Sequence, residues 1–163
     1  MKKSVLRRSW NRVLASLARS APGGATLRPF LHRLRGVQIT GRVFIGEDVY
    51  IENEYPECIE IHQGAQINVR SILLAHTRGE GRIVIGKNAF LGANCVITTT
   101  PGRTITIGEG AVITASTVIT SSVPPQTLIA SEKPKPRAIV TVPFTRETPY
   151  RDFLAGLRPY KPK

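Results

Sequence analysis

Three histidines, His32, His62 and His76, are the side chains of this 163-residue chain best suited to move a proton near neutral pH. An unperturbed imidazole titrates at about 6.5 and can act as an acid or a base. His62 and His76 lie fourteen residues apart, with no close histidine pair between them. The two cysteines, Cys58 and Cys95, are too few for a disulfide framework or a zinc site. No metal is therefore expected. What each residue can do depends on the element that carries it.

That element is a repeat. From Ile39 an aliphatic residue returns every six positions: Ile39, Ile45, Ile51; Ile61, Ile67, Leu73; Ile85, Leu91, Ile97; Ile107, Ile113, Ile119. Gly79 is the one slot of this count that is not aliphatic. Ile51 to Ile61 and Ile97 to Ile107 are each a repeat plus a four-residue insertion. Four places after the aliphatic stands a small or short-branched residue, such as Val43, Ala65, Ser71, Ala89, Cys95 or Ala111. Six residues suit a short flat strand and a corner, with one large and one small side chain inside. Such units bury nothing alone and must stack. Three sides per turn make a parallel β-helix of four to five coils, roughly 20 Å tall at about 4.8 Å per strand.

The repeat assigns positions. His76 stands three after Leu73, at a corner, with its ring expected outward. Asn94 and Ser116 also stand three after an aliphatic, and this count expects them to stack on His76. Glu54 takes the same place one coil earlier, in an insertion that also holds Glu57, and either carboxylate could orient His76. Solvated loop acids and a turn-forming Asn94 are the plainer readings. His62 is expected on the surface and His32 has no role. Cys95 falls in the inward column, as core rather than nucleophile.

The run Ile85-Gly-Lys-Asn-Ala-Phe-Leu-Gly-Ala-Asn-Cys-Val-Ile97 and the closing Val118-Ile-Thr-Ser-Ser-Val-Pro-Pro-Gln-Thr-Leu-Ile-Ala130 resemble the hexapeptide-repeat acyltransferase family. The resemblance covers about 37 to 130. It implies a left-handed β-helix, a homotrimer with active sites between subunits, and acetyl-CoA or another acyl-CoA as co-substrate. It also implies an acid/base histidine at a corner before a loop, which matches His76. For CoA it implies Ala115, Thr120 and Ser121 along the last repeats. Ser121 stands where the family usually has Lys. Lys133, Lys135 and Arg137 follow the closing motif and could meet the CoA phosphates.

The net charge of +12 divides unevenly. Residues 1–46 hold 10 basic residues and no acid, 47–131 hold 5 basic and 8 acidic, and 132–163 hold 8 basic and 3 acidic. A mildly acidic body thus carries basic ends. No aromatic-basic interleaving suggests a nucleic-acid surface. The domains expected are a basic helical cap (1–36), the repeat solenoid (37–131) and a basic extension (132–163). Val5, Leu6, Trp10, Val13, Leu14 and Leu17 form one stripe of a helix. That helix is expected to lid the open first coil, with peripheral membrane contact by residues 4–19 as the alternative. Residues 148–157 are expected to hold a short helix. No apolar run is long enough to span a bilayer and no signal-peptide stretch is seen, so a cytoplasmic location is expected, membrane-peripheral under that alternative.

The reading is an all-β solenoid working as a CoA-dependent O-acyltransferase. Its acceptor is a hydroxyl of a sugar or small molecule, in surface polysaccharide biosynthesis. A non-catalytic scaffold and a γ-class carbonic-anhydrase-like metal enzyme are the alternatives.

Overall fold

The structure, a computed structural model, describes residues 4–75, 79–132 and 135–160. It divides into two units, 1–131 and 132–163.

The first unit opens with α1 (Val5–Ser20), whose N-cap Ser4 side chain accepts from the Arg7 amide at 3.3 Å. Pro22, Gly23 and Gly24 follow its end, as helix breakers should. A second helix, α2 (Leu27–Leu34), leads into the solenoid. The first coil is β1 (Gln38–Ile39), β2 (Phe44–Ile45) and β3 (Tyr50–Ile51). The second is β4 (Ile59–Ile61), β5 (Gln66–Ile67) and β6 (Ile72–Leu74). The third is β7 (Arg82–Ile85), β8 (Phe90–Leu91) and β9 (Val96–Thr98). The fourth is β10 (Thr104–Ile107), β11 (Val112–Ile113) and β12 (Val118–Ile119), after which β13 (Leu128–Ile129) extends one side.

All pairings in this unit are parallel, and the sides are the sheets β1-β4-β7-β10, β2-β5-β8-β11-β13 and β3-β6-β9-β12. We refer to them as the first, second and third sides. This is the expected parallel β-helix, consistent with the left-handed form. Ile45, Ile61, Ile67, Leu73, Ile85, Leu91, Ile97 and Ile107 are fully buried. The small columns Val43, Ala65, Ala89, Ala111 and Val49, Ser71, Cys95, Thr117 are buried beside them. The column entering the first side is instead Ile59, Ile83 and Ile105. Glycine follows the aliphatic where coils approach closely: a Cβ on Gly92 would lie 2.5 Å from the Ala115 amide nitrogen.

The register corrects one expectation. Leu73 pairs with Ile51 and Ile97, and Ile97 with Ile119. Leu91 pairs with Ile67 and Ile113. Gly79 is therefore not an empty slot. The twelve residues from Leu73 to Ile85 are one repeat plus a six-residue insertion, invisible to the count because twelve is two sixes. Asn94 and Ser116 follow the second side, where Asp48 and Arg70 share their corner. All four take left-handed backbone, with φ of 54° to 59°. His76 follows the third side, the side that Glu54 follows. Of the expected stack, Asn94 and Ser116 share that second-side corner, and His76 lies outside the described residues.

The capping helices differ from a simple amphipathic lid: α1 buries Asn11, Leu14, Ala15 and Ala18, and α2 buries Arg28, Pro29 and His32. The first coil ends in unpaired backbone carbonyls, and arginines meet them on each side. Arg33 Nε donates to Ile39 O at 3.2 Å, Arg28 Nη1 to Ile45 O at 3.1 Å, and Arg35 Nη2 to Ile51 O. Leaving a buried carbonyl unpaired costs about 1–3 kcal/mol, so the rim selects polar side chains. Arg28 and Arg35 are buried as a result, with Asn11 and His32 buried near them. Of the predicted stripe, only Leu14 turns inward, while Val5, Leu6, Trp10, Val13 and Leu17 are exposed.

In the second unit β14 (Ala138–Val140) and β15 (Leu157–Pro159) pair antiparallel around α3 (Tyr150–Ala155). Phe144 packs against Phe153, with ring centroids 4.8 Å apart.

Candidate functional site

The strand ladder keeps the insertions together. Each leaves the third side and re-enters the first: residues 52–58 after β3, 75–81 after β6 and 99–103 after β9. They stack at one corner and bond across coils. Gly81 N donates to Ala75 O at 2.8 Å within its loop, and Gly102 N reaches back to Glu80 O at 2.9 Å. Thr99 N donates to Leu74 O at 3.2 Å, and Thr99 Oγ1 to Arg103 O at 3.1 Å. The loops are built for closeness. A Cβ on Gly81 would lie 2.5 Å from Thr99 Cγ2, and Gly79, at φ 149°, sits against Pro101.

Beside this corner lies a groove of about 420 Å³. Glu57, Cys58, Glu80, Arg82 and Arg103 line it. It carries both charge signs, and its floor is the edge of the first side. Cys58 is half-buried there and packs against the core. His76, with Thr77 and Arg78, lies outside the described residues, inside the insertion whose flanks Ala75 and Gly79–Gly81 are described.

The remaining candidates separate. Glu54 belongs to this corner; its amide donates to Glu52 Oε1 at 2.9 Å. Arg35 anchors the same insertion, donating to Glu52 O and, at 3.0 Å, to Asn53 Oδ1. Burial lowers the Arg35 pKa to about 10. Asn94 lies at the opposite end of the third side, before β9, and its left-handed turn accounts for its residue type. Ala115 is exposed before β12, while Thr120 and Ser121 are exposed after it. β12 is the terminal strand of its sheet, so these three flank an open backbone edge. Lys135 and Arg137 belong to the second unit, where Lys135 Nζ lies 3.9 Å from Glu132. Lys133 lies outside the described residues.

One constellation was not anticipated. Glu60 holds His62 Nε2 at 2.9 Å and Arg82 Nη2 at 2.5 Å. His62 Nδ1 lies 3.3 Å from Thr40 Oγ1. The Arg82 hydrogen bond, more than His62, holds the Glu60 carboxyl below its usual range. The signal was available: Glu60 and His62 are two apart on one strand face, and Arg82 is on the next strand. Among the described residues no group of three or more His, Cys, Asp or Glu is arranged to hold a metal ion.

Residues 82–121 match the family described as the hexapeptide repeat of succinyl-transferase. A maltose O-acetyltransferase from Clostridium difficile 630 superposes with a TM-score of 0.56 at 21% identity, covering 78% of this chain and 82% of that one. Serine acetyltransferase isoform 3 from Entamoeba histolytica, in complex with cysteine, gives 0.38 at 20% identity, covering 78% of this chain and 47% of that one. The first likeness supports the fold. No curated protein sequence matches the chain.

Proposed function

Taking this chain as a hexapeptide-repeat protein of the acyltransferase type, we propose that it moves an acetyl or other acyl group from CoA to a hydroxyl of a sugar or small-molecule acceptor. Surface polysaccharide biosynthesis is the setting that needs such O-acylation. The observation that carries the reading is the corner where insertions of successive coils stack beside a groove of about 420 Å³. The insertion holding His76 is the middle one.

In this reading His76 takes the acceptor hydroxyl proton while the oxygen attacks the thioester carbonyl. The C–S bond then breaks, and the CoA sulfur leaves with the proton returned by the imidazolium. Glu54 orients the ring, because it stands three after Ile51 as His76 stands three after Leu73, and Ile51 pairs with Leu73. A backbone N–H at the corner stabilises the oxyanion. Asn94, at the other end of its side, joins His76 only from a neighbouring subunit, which the proposed homotrimer supplies. The open edge of β12, with Ala115, Thr120 and Ser121, suits the amide groups of pantetheine. Lys133, Lys135 and Arg137 take the CoA phosphates.

The deciding experiment is a thermal melt with acetyl-CoA. Ligand at a hundredfold over its Kd stabilises the folded state by about 2.7 kcal/mol. An unchanged melting temperature at millimolar acetyl-CoA overturns the acyltransferase reading. Binding with no thiol release in the presence of acceptor extracts favours a scaffold instead. Light scattering tests the trimer, which a monomer at micromolar concentration would refute.

A further inference from the structure

The face of α1 turned away from the solenoid is apolar. α1 turns Asn11, Leu14, Ala15 and Ala18 inward, and its large apolar side chains other than Leu14 are left outside. Leu6 is 83% exposed, Trp10 51%, Val13 53% and Leu17 54%. At about 100° per residue these four fall within an arc of roughly 60°. On α2, Leu27, Phe30 and Leu34 are exposed as well. A soluble monomer rarely leaves such a stripe uncovered.

Charge identifies what covers it. The first 46 residues contain no acid and 10 Lys or Arg. Arg12 is exposed and Arg8 half-buried on α1 itself, and the exposed Asp48 near the helix end is paired with Arg19 at 3.1 Å. An apolar stripe with a tryptophan, on a helix whose charged side chains are all cations, has the character of an interfacial helix. No helix is long and apolar enough to cross a membrane among the described residues.

We propose that α1 docks this protein on an anionic phospholipid bilayer, lying in the headgroup plane with Leu6, Trp10, Val13 and Leu17 inserted and Arg8 and Arg12 at lipid phosphates. This docking is independent of acyl transfer. It would bring the solenoid to acceptors that are themselves held at a membrane.

Trp10 is the only tryptophan, so its emission reports on this surface alone. The full chain is titrated with vesicles of phosphatidylcholine containing about one third phosphatidylglycerol, and with pure phosphatidylcholine. The expected result is co-sedimentation and a blue shift with the anionic vesicles, at least about tenfold weaker with the neutral ones, and weakened by about 0.5 M salt. L6S/L17S abolishes binding, and R8Q/R12Q weakens it about tenfold while keeping the melting temperature. R8Q/R12Q carries the test should L6S/L17S fail to fold. Absence of the blue shift, or binding unchanged in both variants, overturns the proposal. So does concentration-dependent self-association that L6S/L17S removes without any vesicle binding, which assigns the stripe to a second copy of the chain.

Discussion

Gly81 and Thr99 belong to successive coils, and they stand so close that a Cβ on Gly81 would lie 2.5 Å from Thr99 Cγ2. The Thr100 carbonyl oxygen at 3.0 Å and the Ala75 carbonyl oxygen at 3.1 Å close the remaining space. The insertion that contains His76 is thus clamped at its C-terminal foot against the insertion above it. Gly81→Ala should displace this loop while the buried aliphatic columns stay packed. Acyl transfer is expected to drop at least tenfold with a melting temperature within a few degrees of the parent. Gly81→Ala/Thr99→Ser, which removes the opposing methyl, should recover part of the loss. Assay and melt of the two variants side by side check this.

His76→Ala tests the proposed base. A corner side chain adds little to the core, so folding and CoA affinity should persist. Turnover should fall about 10²–10⁴-fold, the usual worth of a positioned general base. His62→Ala is the contrast, because His62 is held by Glu60 and Thr40 away from the stacked insertions. Thiol release from acyl-CoA with acceptor extracts measures both. Loss of turnover in His62→Ala alone would move the base to the Glu60–His62 pair.

Cys95 tests the inward register. It is fully buried between Ser71 and Thr117, and its thiol donates to Thr114 O at 3.2 Å. Burial pushes that thiol's pKa up. Cys95→Asp places an unpaired charge in the column and should destabilise by more than about 4 kcal/mol or prevent folding. Cys95→Ala should be mild, since the neighbouring column already holds Ala65, Ala89 and Ala111. Denaturant unfolding distinguishes the two.

His32 gives the fold an acid sensitivity. It is buried, both its ring nitrogens lack a protein partner, and burial, reinforced by Arg35, lowers its pKa to about 3. The unfolded chain binds a proton at about 6.5, the folded chain only near 3. Stability is therefore full above about 6.5 and falls steadily as pH drops toward 3. Between about 6.5 and 5.5 the carboxylates stay largely ionised, which separates them from the histidine. Thermal melts across that window should show a decline that His32→Leu flattens. An equal decline in the variant would assign the sensitivity elsewhere.

The solenoid was legible in the chain because its physics is local and repeated. One large and one small inward side chain per six residues admits few other folds, and the columns at Ile61, Ile85 and Ile107 or Ala65, Ala89 and Ala111 could be counted directly. The residue types for proton transfer were legible too, but not their neighbours. Which corner His76 follows depends on whether Leu73 to Ile85 is two repeats or one with an insertion. Twelve residues satisfy both, and only hydrogen bonding between coils, which sets Leu73 against Ile97, decides it. That decision sets Ala75 and Asn94 at different corners and gathers the insertions at one. Likewise the pattern of α1 announced an amphipathic helix but not which face turns inward. Packing decides that: Asn11, Leu14, Ala15 and Ala18 turn inward, while the first coil's carbonyls are met by Arg28, Arg33 and Arg35 from α2 and its end. The stripe of large side chains is left outside because the inward face is built mainly of small residues that let the helix approach closely, a choice made only by packing in three dimensions.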